Sequence, residues 1–127
     1  MRKMFAATVM ALVLALGACA SMGGVPKAAK FEGGMLVDSA GMTLYTFDKD
    51  VAGSGKSACN GPCAKNWPPL RVTGPEQASG DWSVIVRNDG SKQWAYKGKP
   101  LYLWIKDHKP GDKTGDGFLK LWHVATQ

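Results

Sequence analysis

Two patterns of hydrophobic positions divide this chain. Residues 4–16 form one continuous apolar run, whereas beyond about residue 31 the apolar residues come in short runs separated by Gly, Pro, Asn and Asp. Short apolar runs between turn residues are typical of β-strands. No stretch beyond the first run has the 3.6-residue period of an amphipathic helix. The pattern predicts a targeting segment followed by an all-β domain.

The first run is predicted to be a lipoprotein signal peptide. It follows a basic Met1-Arg2-Lys3, and its thirteen residues fall short of the roughly 20 that a membrane-spanning helix needs. It ends in Leu16-Gly17-Ala18-Cys19, where a small residue precedes a cysteine that diacylglycerol can alkylate. We therefore expect residues 1–18 to be removed and Cys19 to carry lipid. The alternative is a single transmembrane anchor.

Lipid on Cys19 predicts a protein that works beside a membrane. Two or three acyl chains anchor a protein effectively permanently, so the domain needs no membrane-binding surface of its own. Ala20 lies where Asp would favour the inner membrane of a Gram-negative cell, so we expect the outer membrane, facing the periplasm. Residues 19–30 are predicted to be a flexible tether, and residues 31–127 a single domain.

Strands and turns alternate within this domain. The predicted strands are Met35–Asp38, Met42–Phe47, Trp82–Arg87, Gln93–Tyr96 and Leu101–Ile105. Turns are predicted at Ser39-Ala40-Gly41, Asn88-Asp89-Gly90 and Lys97-Gly98-Lys99-Pro100. The last strand is apolar on both faces, which predicts a central position in a sheet.

The sequence also repeats itself. At an offset of 57 residues, Gly41–Asp50 superimposes on Gly98–Asp107, with matching Gly, Leu, Tyr, aromatic, Lys and Asp positions. Trp67 and Trp122 then close the two units at nearly the same distance. We expect two tandem copies of one hairpin-based unit, a first repeat at about 34–70 and a second at about 82–124, with long ordered loops.

These residues carry a resemblance to a known family. The motifs Tyr45-x-Phe47-x-x-Asp50 and Tyr102-x-Trp104-x-x-Asp107 resemble those of the predicted-lipoprotein or secreted repeat family, which is defined by Tyr-x-aromatic-x-x-Asp. The resemblance covers essentially the whole domain. It implies a bacterial envelope lipoprotein of uncharacterised activity, and so supplies a location and a repeat but no chemistry.

The motif allows two interpretations. Its rings and carboxylates could form a pair of ligand sites, each with an aromatic platform and an acid, suited to sugars or cations. Alternatively, the rings fill the core, while each Asp accepts N–H groups of the following turn or each Tyr hydroxyl ties down a loop. Repetition favours the structural interpretation, because each copy of a unit must keep its own folding information.

Cys59 and Cys63 are the two thiols of the domain. In an oxidising envelope we expect them to form a disulfide. The alternative is a redox or copper-handling lipoprotein, in which Cys59, Cys63 and His123 bind Cu(I). Known carriers with this cysteine spacing have a thioredoxin-like scaffold, and the chain has no βαβ pattern.

Acidic residues between Asp107 and Gly117 resemble a calcium loop only superficially. Their spacing does not fit an EF-hand, and Lys109 and Lys113 interrupt them, so we expect turns stabilised by Asp side chains and no metal site. The chain also carries no recognisable catalytic motif, which predicts a protein that is not an enzyme and needs no cofactor.

Charge adds little to this assignment. The net charge is +6, and it falls to +4 once Arg2 and Lys3 leave with the signal peptide. The lysines are dispersed among acids, which does not indicate nucleic-acid binding. We therefore expect a monomeric, non-catalytic binding or structural module, bound to the membrane through Cys19, with an unspecified protein or glycan partner.

Overall fold

The computed structural model describes residues 24–75 and 78–127, so the predicted signal peptide and Cys19 lie outside the described part. This part is mostly β-structure, as predicted. Its elements are β1 (Ala29–Glu32), β2 (Met35–Asp38), β3 (Tyr45–Phe47), α1 (Pro62–Asn66), β4 (Trp82–Val86), β5 (Lys92–Tyr96), β6 (Lys99–Pro100), a 3₁₀ turn (Phe118–Lys120) and β7 (Trp122–Val124). Over these two ranges, no helix is long and apolar enough to cross a membrane.

The strands pair antiparallel in three small sheets, β1–β2, β3–β7 and β4–β5–β6. A bridge between Tyr45 and Tyr102 joins the motif segments of the two repeats. Each of these tyrosines donates its backbone N–H to the carbonyl of the other, at 2.8 and 3.0 Å. This reciprocal pair lies at the centre of an approximate two-fold relation between the repeats.

Each motif segment pairs with the tryptophan-containing segment of the other repeat. In β3–β7, the first repeat supplies Phe47 and the second supplies Trp122 opposite it. In the equivalent pairing, Leu103 donates its N–H to the carbonyl of Pro68 at 2.7 Å. The backbone bond from Asp48 to Leu121 likewise corresponds to the bond from Ile105 to Asn66. The repeats are therefore interlocked.

The core has two clusters of buried side chains. One is mainly aliphatic and includes Leu36, Leu44, Leu70, Leu101, Trp82 and Trp94. The other is aromatic and consists of Tyr45, Cys59, Trp67, Tyr102, Trp104 and Trp122. The motif residues Tyr45, Tyr102 and Trp104 are thus core residues.

The structure differs from the predicted strands in several places. β7 was not predicted, and β6 lies in the predicted turn Lys97–Pro100. β1 begins at Ala29, inside the predicted tether, because Ala29 packs into the aliphatic cluster. The predicted strand Met42–Phe47 is reduced to β3. The predicted strand Leu101–Ile105 is not continuous, because its partner segment contains Pro68 and Pro69, which have no N–H to donate.

The central position predicted for Leu101–Ile105 is nevertheless correct for Tyr102. That residue bridges Tyr45 on one side and Pro69 on the other. At the end of the segment, Ile105 is 46% exposed.

α1 is an element that the sequence pattern did not predict, because five residues are too few to show a helical period.

Candidate functional site

The motif tyrosine of the first repeat binds the motif aspartate of the second. The Tyr45 hydroxyl donates to Oδ2 of Asp107 at 2.6 Å, and both residues are buried. Oδ1 of Asp107 accepts the backbone N–H of Thr114 at 2.9 Å and its hydroxyl at 2.7 Å. Asp107 therefore joins the core to the loop that follows its own motif.

The reciprocal contact is also present. The Tyr102 hydroxyl donates to Oδ2 of Asp50 at 2.6 Å, and Oδ1 of Asp50 accepts the N–H of Ala58 at 2.6 Å. The two tyrosine–aspartate pairs are exchanged between the repeats, each motif supplying half of both. Each Asp accepts a backbone N–H from the following loop, which is the arrangement that the structural interpretation of the motif expects.

Burial raises the pKa values of the two motif tyrosines and of Asp50. Burial, reinforced by the hydrogen bond to Asp107, raises the pKa of Tyr45 well above its usual value. Burial and the hydrogen bond to Asp50 raise the pKa of Tyr102 in the same way. Burial also raises the pKa of Asp50, against the opposing effect of its hydrogen bonds from Tyr102 and Ala58. Both tyrosines thus stay protonated and act as donors.

The other motif aromatics stack in the core. Phe47 stacks on Trp122 with ring centroids 4.1 Å apart, Trp122 on Trp67 at 3.8 Å, and Trp67 on Trp104 at 3.9 Å. Residues from the two repeats alternate within this four-ring stack in a symmetric order. Tyr45 meets Trp67 edge-on, as Tyr102 meets Trp122. The rings therefore face one another and do not form open ligand platforms.

A buried arginine connects the second repeat to the cysteine loop. Arg87 is 5% exposed, and it donates to the hydroxyl of Ser57 at 3.0 Å and to Oε1 of Gln93 at 2.7 Å. Its other terminal nitrogen donates to the carbonyl of Cys59. Ser57 in turn lies 2.6 Å from the Tyr102 hydroxyl, so the network reaches the motif pairs. Arg87 and Gln93 were not predicted as functional residues, since nothing in the sequence distinguishes them from surface residues at the ends of strands.

Cys59 and Cys63 form the predicted disulfide. Cys59 is fully buried in the aromatic cluster, whereas Cys63 is half-buried in the first turn of α1. His123, the third residue of the copper alternative, has its Nε2 2.8 Å from Oδ2 of Asp48. Over residues 24–75 and 78–127, no three His, Cys, Asp or Glu side chains are grouped so as to hold a metal ion.

The acidic residues after Asp107 bind backbone groups. Oδ2 of Asp112 accepts the N–H groups of His108 and Lys109, at 2.8 and 3.2 Å, and Oδ1 of Asp116 accepts that of Val124 at 3.1 Å. The hydrogen bond from the Lys109 ammonium, with those backbone bonds, lowers the pKa of Asp112 to about 2. These carboxylates stabilise turns, in agreement with the alternative preferred over a calcium loop.

The fold and the motif contacts together define a class of protein: a small β-domain of two interlocked repeats, held by tyrosine–aspartate pairs exchanged between them. A family described as a secreted repeat of unknown function matches the chain twice, over residues 28–71 and 83–126. The chain belongs to this family. Its description as secreted indicates an extracellular or envelope location. Comparison with curated proteins and comparison with solved structures each gave no match.

Proposed function

We propose that this protein is a lipid-anchored lipoprotein of the bacterial envelope, whose domain is a non-catalytic binding or structural module. Lipid on Cys19 holds it at the membrane, most simply at the periplasmic face of the outer membrane in a Gram-negative cell. The secreted-repeat family supports an envelope location, and the Leu16-Gly17-Ala18-Cys19 sequence supports the anchor.

One observation supports the non-catalytic assignment above all. The side chains of the motif that defines the family stabilise the fold. Its two tyrosines and two aspartates bind one another, and Phe47 and Trp104 stack in the core. A nucleophile or general acid must reach its substrate, whereas both motif tyrosines and Asp107 are buried and Asp50 is already hydrogen-bonded. The motif therefore preserves a scaffold, and any ligand is bound elsewhere on the domain.

Membrane attachment is tested by Cys19→Ser. We expect this variant to move from the membrane fraction to the soluble fraction, because without the thiol no acyl chain can be attached. The measurement is the distribution of the full-length protein after fractionation and a salt wash, with Cys59→Ser/Cys63→Ser as the control that keeps the anchor. A Cys19→Ser protein that stays with the washed membranes would refute the proposal.

A redox or copper role for Cys59 and Cys63 is the second candidate. The observation that favours it is that Cys63 is half-buried and that the buried guanidinium of Arg87 donates to the backbone carbonyl of Cys59, the other cysteine of the disulfide. A cation close to a cysteine stabilises its thiolate. Copper binding would require reduction of the disulfide and movement of His123 away from Asp48.

The reduction potential separates the two candidates. We expect a value below about −300 mV, as for structural disulfides of secreted proteins. The variant Cys59→Ser/Cys63→Ser should fold with a loss of about 2 kcal/mol, since the closed loop is short. A potential near about −200 mV would favour the redox role. So would a Cu(I) affinity that disappears in this variant and in His123→Ala.

A further inference from the structure

One cleft of the domain has several polar side chains in its lining. It lies where β3 and β7 approach the hairpin of β5 and β6, and it has a volume of about 350 Å³. Its polar lining includes Thr46, Asp48, Lys97, Lys99 and His123. Asp48 and His123 are hydrogen-bonded at 2.8 Å, and each side chain is about half exposed. Solvent and small ligands can therefore reach this pair.

The fold itself does not require polar residues here. The two-fold relation between the repeats places Thr46, Asp48 and His123 at the positions that Leu103, Ile105 and Pro68 occupy in the other half. Asp48 and Ile105 make matching backbone hydrogen bonds, and Thr46 faces His123 as Leu103 faces Pro68, with polar residues in one half and apolar residues in the other. The polar side chains are therefore not needed for this backbone pairing, which the other half makes with apolar residues.

Lys97, which lines the same cleft, has a strained backbone conformation. Lys97 and Gly98 form the two-residue turn between β5 and β6, with φ of 51° and 81°. Turns of this kind favour Asn, Asp or Gly, and a lysine there costs stability. Gly98 is fixed in place, because its carbonyl accepts the N–H of Gly53 at 3.0 Å and a Cβ on Gly98 would lie 2.6 Å from that nitrogen. The backbone of this turn is therefore fixed beside the cleft, with Lys97 in its lining.

We propose that this cleft binds an acidic sugar, one ring carrying a carboxylate or a phosphate. Asp48, His123 and the Thr46 hydroxyl supply acceptors and donors for sugar hydroxyls. The ammonium groups of Lys97 and Lys99 supply the charge that an oxyanion requires. The volume lies at the lower end of the range for small-molecule sites, which suits one sugar unit. This proposal names the ligand class of the binding module and rests on that part of the proposed function.

Calorimetric titration of the full-length protein in detergent tests the ligand class. The probes are glucuronate, glucose 6-phosphate, glucose and inorganic phosphate. We expect at least one acidic sugar to bind about tenfold or more tightly than both glucose and phosphate, since each lacks half of the recognised chemistry. The tighter acidic sugar identifies the anion as carboxylate or phosphate. Equal binding of phosphate or of glucose, or binding of none of the four, would overturn the proposal.

Lys97→Asn tests the site. This variant should weaken acidic-sugar binding about tenfold, because a charged donor is lost, while its Tm rises, because Asn suits the turn. Lys113→Asn, on an exposed loop, is the matched control and should change neither. Unchanged binding or an unchanged Tm in Lys97→Asn would overturn the proposal. Membrane release of Cys19→Ser is measured independently, so failure of this site and failure of the anchor are distinguishable.

Discussion

Replacing Trp67 with alanine is expected to destabilise the domain by about 4 kcal/mol, as for other buried tryptophans. Trp67 is 3% exposed and lies between Trp122 and Trp104, with ring centroids at 3.8 and 3.9 Å. It also contacts the edge of Tyr45. Because the stack alternates between repeats, loss of this ring removes packing inside the first repeat and between the two. Equilibrium denaturation by urea measures the effect.

Phe118→Ala is the matched control for this prediction. Phe118 packs against the Trp104 end of the same stack, with ring centroids 4.9 Å from Trp104 and 5.9 Å from Trp67, and is 39% exposed. Because water already reaches this ring, its removal should cost only about 1 kcal/mol. Similar losses in the two variants would show that the interior of the stack contributes no more than its exposed end.

Part of this fold is predictable because local patterns specify it. The sequence predicts β2 with its observed bounds, since turn residues flank a four-residue run on both sides. The turns after β2 and β5 are predictable from their glycines. β1 is not predicted, because Ala29 and Lys30 resemble the preceding tether in composition, although the Gly33-Gly34 turn that joins β1 to β2 is a local hairpin signal. Its pairing with β2 and the packing of Ala29 and Phe31 on the aliphatic cluster make this segment a strand.

The partners of the motif residues are beyond a sequence-based prediction. Two identical motifs contain two tyrosines and two aspartates, and pairing within a repeat satisfies the same hydrogen bonds as pairing between repeats. The choice depends on where the chain crosses, which the Tyr45–Tyr102 bridge fixes. The same crossing brings Arg87 to the carbonyl of Cys59, a contact between distant segments that leaves no local pattern.

The tyrosine–aspartate pairs exchanged between the repeats should contribute measurably to the free energy of unfolding. Asp107→Ala should destabilise the domain by about 3 kcal/mol, because a buried tyrosine hydroxyl and the groups of Thr114 lose a charged acceptor. In a double-mutant cycle, Tyr45→Phe and Asp107→Ala should show a coupling energy of about 1.5 to 3 kcal/mol, the value of a hydrogen bond to a charged group. Urea denaturation of the four proteins supplies the cycle.

The matched control is the aspartate of the same motif as Tyr45. Tyr45→Phe and Asp50→Ala lie in one repeat but share no hydrogen bond, so their effects should add to within about 0.5 kcal/mol. Strong coupling of Tyr45 with Asp50 and none with Asp107 would mean that each repeat completes its own tyrosine–aspartate hydrogen bond.

Coupling in the expected order means that neither repeat can complete its own hydrogen bonds. In the first repeat expressed alone, Tyr45 and Asp50 would then each lack the side-chain partner that they have here, which accounts for the occurrence of the unit as an interlocked pair in this domain.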